Sequence, residues 1–132
     1  MTYELKSPIL GFEDLNNIIL EEKDEVFAKI KSGNKPYIEL NLVNPYALRE
    51  YSFNIPKYVS LLLDITERSN LLVYCVLVAQ NPLENSKVNF LAPIVFNRDN
   101  QTAAQLALSI RDYPHFKVAD DIKQYIDSLP IN

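Results

Sequence analysis

Hydrophobic and polar residues alternate along two stretches of the chain, YIELNLV (37–43) and VFAKIK (26–31). Strict alternation is the pattern of a β-strand with one buried face. The residues that share a face are Ile38, Leu40 and Leu42 in the first stretch and Val26, Ala28 and Ile30 in the second. A third stretch, LLVYCVLVAQ (71–80), is apolar on both faces and rich in β-branched residues, which predicts a central strand covered on both sides.

The run VNFLAPIVFN (88–97) reads as a buried strand with a proline in its middle. Proline has no N–H to give to a sheet, so this strand has to bulge or lie at an edge around Ala92 and Pro93. Turn residues RDNQT follow, and AAQLALSI (103–110) returns with Leu106, Leu108 and Ile110 on one side. The two runs predict an antiparallel hairpin. Weaker strand candidates are residues 3–6, 17–20 and 51–55.

Two stretches have helical spacing. Residues 56–69 begin with Pro56, which the first turn of a helix accepts, and residues 119–129 end before Pro130. The apolar faces are Tyr58, Leu61, Leu62 and Ile65 in the first and Ile122, Tyr125, Ile126 and Leu129 in the second. Asp120 and Asp121 fall in the first turn of the second, where negative charge is favoured.

Together these patterns predict a mainly β protein, an antiparallel β-barrel-like domain with two short helices, one of them C-terminal. We expect a single domain over 1–132, with the barrel-like core at 1–113 and a helical extension at 114–132. The length of 132 residues is that of one domain.

Charge and composition narrow the possible partners. The net charge is −4, and a nucleic-acid binder needs surplus lysine and arginine, so we expect a protein partner and no direct nucleic-acid or membrane binding. The chain shows neither a signal peptide nor an apolar run long enough to span a bilayer, and its single cysteine forms no internal disulfide. We therefore expect a cytoplasmic protein.

The residues that could carry chemistry are few. Cys75 lies in the most apolar strand, where a thiol is inert, and His115 is the only histidine. The acidic run EEKDE (21–25) is a charged loop without fixed ligand geometry, so no metal site is expected. No nucleophile elbow, P-loop or dinucleotide motif occurs, and we expect neither an enzyme nor a cofactor.

A small β-barrel that binds a small ligand or single-stranded RNA is the alternative. One predicted strand face carries aromatic and basic residues in the arrangement that some barrels use to stack single-stranded bases. These residues are Phe27, Lys29, Lys31, Lys35 and Tyr37. The acidity of the whole chain favours an ordinary solvated face.

Four stretches, in order along the chain, resemble the flagellar assembly factor FliW family. They are PILGFEDL (8–15), NPYALREYSFNIP (44–56), LLVYCVLVA (71–79) and NFLAPIVFN (89–97), the last followed by QLAL (105–108). The resemblance covers about residues 3–113, so the predicted helix at 119–129 lies beyond it. It implies a compact antiparallel β-barrel-like fold without catalytic activity. It also implies two protein partners, flagellin held before export and the RNA-binding translational regulator CsrA, whose repression of flagellin synthesis the free protein relieves.

The signature NFLAPIVFN has two interpretations. In the first it only closes the barrel, with Asn89 and Asn97 bonding backbone groups that the interruption at Ala92 and Pro93 leaves unpaired. In the second the broken edge takes up a flagellin segment by strand addition or offers it a groove. The C-terminal helix likewise either docks on the barrel or covers a binding surface as a gate.

For CsrA an acidic surface is expected, because a protein that holds RNA must be basic. The candidate steering carboxylates are Glu21, Glu22, Asp24, Glu25, Asp120 and Asp121. Rim charges mainly set the association rate.

Overall fold

The computed structural model of the chain describes residues 1–33 and 37–125. Within them lie nine β-strands and two short α-helices, which confirms the predicted mainly β class. The strands are β1 (Thr2–Leu5), β2 (Asn17–Glu22), β3 (Phe27–Ser32), β4 (Glu39–Val43), β5 (Leu71–Val78), β6 (Lys87–Val88), β7 (Ile94–Asn97), β8 (Thr102–Gln105) and β9 (Asp120–Asp121). The helices are α1 (Pro45–Leu48) and α2 (Lys57–Leu62).

Seven of these strands close into a barrel in the order β4-β3-β2-β1-β8-β7-β5, and β5 pairs back onto β4. Neighbours run antiparallel except β1 and β8, which are parallel with Glu4 beside Thr102. Strand directions cannot alternate all the way around a ring with an odd number of members, so one pair has to be parallel. The predicted barrel is confirmed, but its one parallel strand pair was not predicted.

The barrel interior holds the side chains that the alternation placed on the buried faces, except Val26, which precedes β3 and is buried in a different apolar cluster. Ala28 and Ile30 of β3 and Leu42 of β4 are buried there, with Leu40 and Ile38 packed against them. The remaining buried members of this interior cluster are Tyr3, Ile9, Leu15, Ile18, Leu20, Tyr74, Ile94, Phe96 and Ala103. The alternating pattern of β3 and β4 is therefore confirmed.

Two further apolar clusters cover the outside of β5. Cys75 and Leu77 belong to one, with Tyr51, Phe90 and Phe116, and Val73 packs against both. With Tyr74 facing the interior, β5 is covered on both faces as predicted. Residues 51–55, a weak strand candidate, form no strand. That prediction was wrong because this segment lays its aromatic side chains on the outer face of the sheet instead of pairing with an edge.

Helix α2 is shorter than the predicted 56–69 and buries a different face. Val59 and Leu63 are buried, whereas Tyr58, Leu61 and Leu62 are exposed. Both sets of residues fit helical spacing, and the i, i+4 pair of Val59 and Leu63 is the one that fills the outer cluster beneath the helix. The helix ends early because Asp64 adopts a positive φ of 56°.

The predicted C-terminal helix does not begin at Asp120. Asp120 and Asp121 form β9, which pairs with β6, and a 3-10 turn follows at Ile122–Gln124. The helical prediction was wrong here because β6 offers an open edge that β9 covers, and Ile122 is buried in the outer cluster beside it. The remaining predicted helical positions, Ile126 and Leu129, lie outside the described residues.

Candidate protein-binding site

The signature segment bulges out of the sheet, as the proline predicted. Val88 lies opposite Leu77 of β5 and Ile94 lies opposite Tyr74. Residues 89–93 are therefore opposed by only Cys75 and Val76, and the extra length bends the strand between β6 and β7. Pro93 stands immediately before β7.

The carbonyl groups of the bulge are bonded within the chain. Tyr51 Oη donates to the carbonyl of Phe90 at 2.8 Å, and the N–H of Leu108 donates to the carbonyl of Leu91 at 2.7 Å. Gln105 Nε2 donates to the carbonyl of Ala92 at 3.1 Å, and Leu106 N–H donates to that of Pro93 at 2.8 Å. The returning chain thus continues to bond the bulge, although β8 itself ends at Gln105 rather than at the predicted residue 110.

The two asparagines of the signature do different work. Asn89 accepts a hydrogen bond from Leu91 N–H at 3.0 Å and so supports the bulge, as expected. Asn97 instead donates from Nδ2 to the carbonyl of Leu63 at 2.8 Å and accepts from Asp99 N–H at 3.0 Å. Asn97 therefore ties β7 to the end of α2 and to the hairpin turn.

Burial limits what a partner can reach in this segment. Ala92, Pro93 and Asn97 are buried, and Asn89 is half-buried. Because the Ala92 and Pro93 carbonyls are already bonded, the bulge offers a partner mainly the Asn89 side chain and the apolar surface next to it.

Gln105 joins two of the sequence motifs at that surface. Its Oε1 accepts the N–H of Leu10 at 2.8 Å, while its Nε2 bonds the carbonyl of Ala92. PILGFEDL and the signature therefore meet across one side chain of QLAL. Gln105 and Leu10 both lie in the sequence motifs, but spacing along the chain gives no sign that they touch, so neither could be identified as a site residue from the sequence.

An apolar groove with a volume of about 290 Å³ lies at this mouth of the barrel, and we call it the barrel-mouth groove. Its rim carries Leu10, Val78 and Val118, which are 78%, 57% and 62% exposed. The rest of its lining is Ile9, Phe12, Leu40, Val76, Lys87, Asn89, Gln105 and Ala119. Large exposed apolar side chains gathered around a concave surface mark a binding site for another apolar surface.

The candidate carboxylates lie at two separate places. Glu21 and Glu22 belong to β2, which extends into the run predicted as a loop, and Asp24 and Glu25 form the turn to β3. Asp24 Oδ1 accepts the N–H groups of Val26 and Phe27, which fixes the turn. Hydrogen bonds from Lys31 and Lys23 lower the pKa of Glu21 and keep it ionised, and the positive charges of the two lysines offset its negative charge.

At β9 the two aspartates differ. Asp120 is buried and accepts hydrogen bonds from Gln124 Nε2 at 2.8 Å and Tyr125 Oη at 2.9 Å. Asp121 is exposed and pairs with Lys87, whose hydrogen bond lowers the pKa of the Asp121 carboxyl. Of the six candidate carboxylates, Glu22, Asp24 and Glu25 are thus the exposed ones that form no ion pair with a lysine or arginine in the described part of the chain.

Two lysines of the alternative RNA-binding face, Lys29 and Lys31, are engaged in ion pairs. Lys29 Nζ lies 2.8 Å from Glu39 Oε1, and Lys31 Nζ lies 2.9 Å from Glu21 Oε1. Tyr37 is exposed, and Lys35 lies outside the described residues. Paired lysines have little charge left for a phosphate backbone, which weighs against single-stranded RNA at this face.

Cys75 and His115 do not form a site. Burial raises the pKa of the Cys75 thiol to about 12, which keeps it protonated. His115 is exposed, and its backbone carbonyl accepts a hydrogen bond from Arg49. The described residues contain neither a group of His, Cys, Asp and Glu side chains placed to hold a metal nor a helix able to cross a membrane.

The fold and the groove define a small β-barrel protein whose exposed apolar surface sits where its sequence motifs meet. The sequence matches the model of the FliW protein family over residues 1–119, and the chain belongs to that family. It is 63% identical over 126 residues to flagellar assembly factor FliW 1 of Wolinella succinogenes, covering 96% of this chain and 98% of the relative. It is 52% identical over 128 residues to flagellar assembly factor FliW of Helicobacter pylori (strain G27), covering 96% and 95%.

The fold is also that of a solved structure. A crystal structure of the flagellar assembly factor FliW superposes with a TM-score of 0.81 at 21% identity, covering 92% of this chain and 84% of the other. The resemblance seen in the four motifs is therefore confirmed for the family, and its β-barrel for the fold.

Proposed function

We propose that this protein acts in the cytoplasm by binding flagellin before export and, when free of it, by binding CsrA and relieving repression of flagellin synthesis. The proposal requires no catalytic step and no cofactor. Membership of the flagellar assembly factor family supports it, and so does the barrel-mouth groove, which is the observation that carries it.

The groove suits an apolar segment of flagellin. A chaperone-like partner would hold flagellin before export by covering an apolar segment of it. Leu10, Val78 and Val118 offer the contact area, while Asn89 and Gln105 offer polar groups that fix the register of a bound chain.

A single substitution in the groove tests flagellin binding. Leu10→Ser removes an exposed apolar contact, and we expect it to weaken flagellin binding about tenfold or more, because the bound complex would bury this leucine side chain and the variant loses that apolar burial. Leu61→Ser is the matched control, because Leu61 is 72% exposed on α2, away from the groove. Isothermal titration with purified flagellin measures both. Equal weakening by the two variants, or no effect of Leu10→Ser, would remove the groove from the proposal.

The exposed carboxylates of the β2–β3 turn suit a basic partner. Charge reversal at Glu25 should slow association with CsrA more than it speeds dissociation, because peripheral charges act mostly on the encounter. Glu67→Lys makes the same change of charge elsewhere on the surface and serves as the control. The association rate is measured by stopped flow at low and high salt. A rate that does not depend on the salt concentration would contradict electrostatic steering by these carboxylates.

A titration with both partners tests the switch. We expect flagellin, added to a preformed complex with CsrA, to release CsrA. A stable ternary complex at saturating concentrations of both would contradict the exchange while leaving each binary interaction intact.

A further inference from the structure

The wall of the barrel has a gap beside the first half of β5. β4 and β5 pair only through Asn41 to Val43 with Leu77 to Cys75, because β4 ends and the chain turns away at Pro45 into α1. Residues 71–74 of β5 therefore pair with β7 on one side, while their other side has no neighbouring strand among the described residues.

The hydrogen-bonding groups at this edge point into the gap. In an antiparallel ladder alternate residues bond to the same neighbour. Arg98 N–H donates to the carbonyl of Asn70 at 2.9 Å, so Leu72 and Tyr74, which have the same parity, face β7. The N–H and C=O groups of Leu71 and Val73 must face the other way. Across residues 1–33 and 37–125 these four groups meet no hydrogen-bond partner.

The gap is large enough to hold a peptide segment, and the β2–β3 turn borders it. It is a cavity of about 360 Å³ lined by the β5 edge together with Asn44, Tyr46, Phe53 and Ile55. The β2–β3 turn borders it, since Tyr74 Oη donates to Glu22 Oε1 at 3.2 Å and Asn44 Nδ2 donates to the carbonyl of Glu25 at 3.2 Å. We call this space the β5 slot.

Two properties of the slot select its occupant. Four unsatisfied backbone groups in a row call for the backbone of an extended chain, which supplies donors and acceptors at the matching spacing. The aromatic and aliphatic lining accepts apolar side chains, and the carboxylate of Glu22, which Tyr74 Oη contacts at the border, attracts a cation.

We propose that the β5 slot binds an extended segment of a partner protein as an added strand along residues 71–74, with apolar side chains at alternate positions and a lysine or arginine at the end next to the β2–β3 turn. The proposal rests on the function above only in taking the partner to be a polypeptide. The slot lies at the opposite end of the β4–β5 pairing from the barrel-mouth groove, so it is a second surface.

Synthetic peptides test the slot without any natural partner. The probe is a fluorescent peptide, Lys-Val-Thr-Val-Thr-Val, and two derivatives carry backbone N-methyl groups at the odd or the even positions. We expect anisotropy titrations to show binding of the parent and a loss of at least tenfold for one derivative only, because only one set of N–H groups faces β5. No binding of the parent, or equal affinity of all three peptides, would overturn the proposal.

A matching change in the protein completes the test. Val73→Pro removes an N–H that bonds nothing within the described chain, and a free strand edge accepts proline. We expect it to weaken peptide binding at least tenfold, whereas Leu61→Ser leaves it unchanged. Unaltered binding to a folded Val73→Pro variant would refute strand addition here.

Amide hydrogen exchange on the unmodified protein gives an answer even if that variant fails to fold. Leu71 and Val73 amides should exchange faster than those of Leu72 and Tyr74 and should slow when the peptide is added. No slowing at saturating peptide argues decisively against the slot. Flagellin and CsrA are absent from these assays, so a failed slot leaves their binding experiments untouched, and failed partner binding leaves the peptide result standing.

Discussion

Replacing Tyr51 by phenylalanine removes the hydroxyl that bonds the bulge and leaves the aromatic ring in place. The hydroxyl donates to the Phe90 carbonyl at 2.8 Å in a buried position, and Phe90 itself is fully buried. The ring stacks on Phe116 with centroids 4.7 Å apart and contacts Phe53 at 5.6 Å, so its packing is retained. The change therefore removes this hydrogen bond together with a weaker buried one, in which Cys75 Sγ donates to the same hydroxyl at 3.8 Å.

The expected loss of stability follows from the unpaired carbonyl that the substitution leaves in the core. The Phe90 carbonyl has no second donor among the described residues and no access to water, so it carries the penalty of an unsatisfied buried acceptor. Such a group costs about 1–3 kcal/mol. We expect the free energy of unfolding to fall by that amount in urea titrations, with an unchanged dependence on denaturant.

Tyr46→Phe is the matched control. Tyr46 is 51% exposed, so water replaces whatever its hydroxyl loses, and a change within about 0.5 kcal/mol is expected. If Tyr51→Phe lay within the same 0.5 kcal/mol, the bulge would not depend on this bond and the structural account of the signature would be wrong.

Three further predictions concern stability. Leu63→Ala should cost about 2–5 kcal/mol because the side chain is fully buried under α2, whereas Leu62→Ala, which truncates an exposed neighbour, should cost less than about 1 kcal/mol in the same urea titration. Pro93→Val should change the free energy of unfolding by less than about 1 kcal/mol. The new N–H faces the returning chain after β8 and can form a hydrogen bond worth about 0.5–1.5 kcal/mol, which offsets the greater conformational entropy of the unfolded chain without proline. A larger loss measured by calorimetry would contradict this geometry. The hydrogen bond from Lys87 lowers the pKa of Asp121 in the folded protein, so this carboxylate stabilises the fold above its unfolded-state pKa, and the stabilisation is lost as the pH falls through its folded-state pKa. Asp121→Asn should therefore make the free energy of unfolding depend less steeply on pH in that acidic range. An unchanged pH dependence would show that the Asp121–Lys87 pair does not contribute to stability.

The strands were predictable because their signal is local. Alternation in β3 and β4 and the doubly apolar β5 specify which faces are buried, and the structure follows them. Local signals could not give the parallel pairing of β1 with β8, which arises from closing an odd number of strands. They also failed for α2, where two apolar stripes fit the same helix and only the outer cluster decides between Leu62 and Leu63.

The candidate site was predictable in its motifs and not in its geometry. Pro93 correctly indicated a bulge. The hydrogen bond from Gln105 to the Ala92 carbonyl could not be predicted, because it joins residues 13 positions apart in the sequence. Asp120 and Asp121 looked alike in sequence, yet one is buried by the pairing of β9 and the other is exposed. Surface availability is a property of the whole fold, so composition alone could not separate them.

The pairing of β4 with β5 involves three residue pairs, and the barrel-mouth groove and the β5 slot adjoin its two ends. The same few hydrogen bonds therefore resist any spreading of these strands from either direction. A ligand that separated the strands at Leu77 would lower the work needed to separate them at Cys75, and a chain added along residues 71–74 would stiffen the pairing from the other end. A ligand in the barrel-mouth groove and a chain in the β5 slot would in this way be coupled through one short ladder without touching each other.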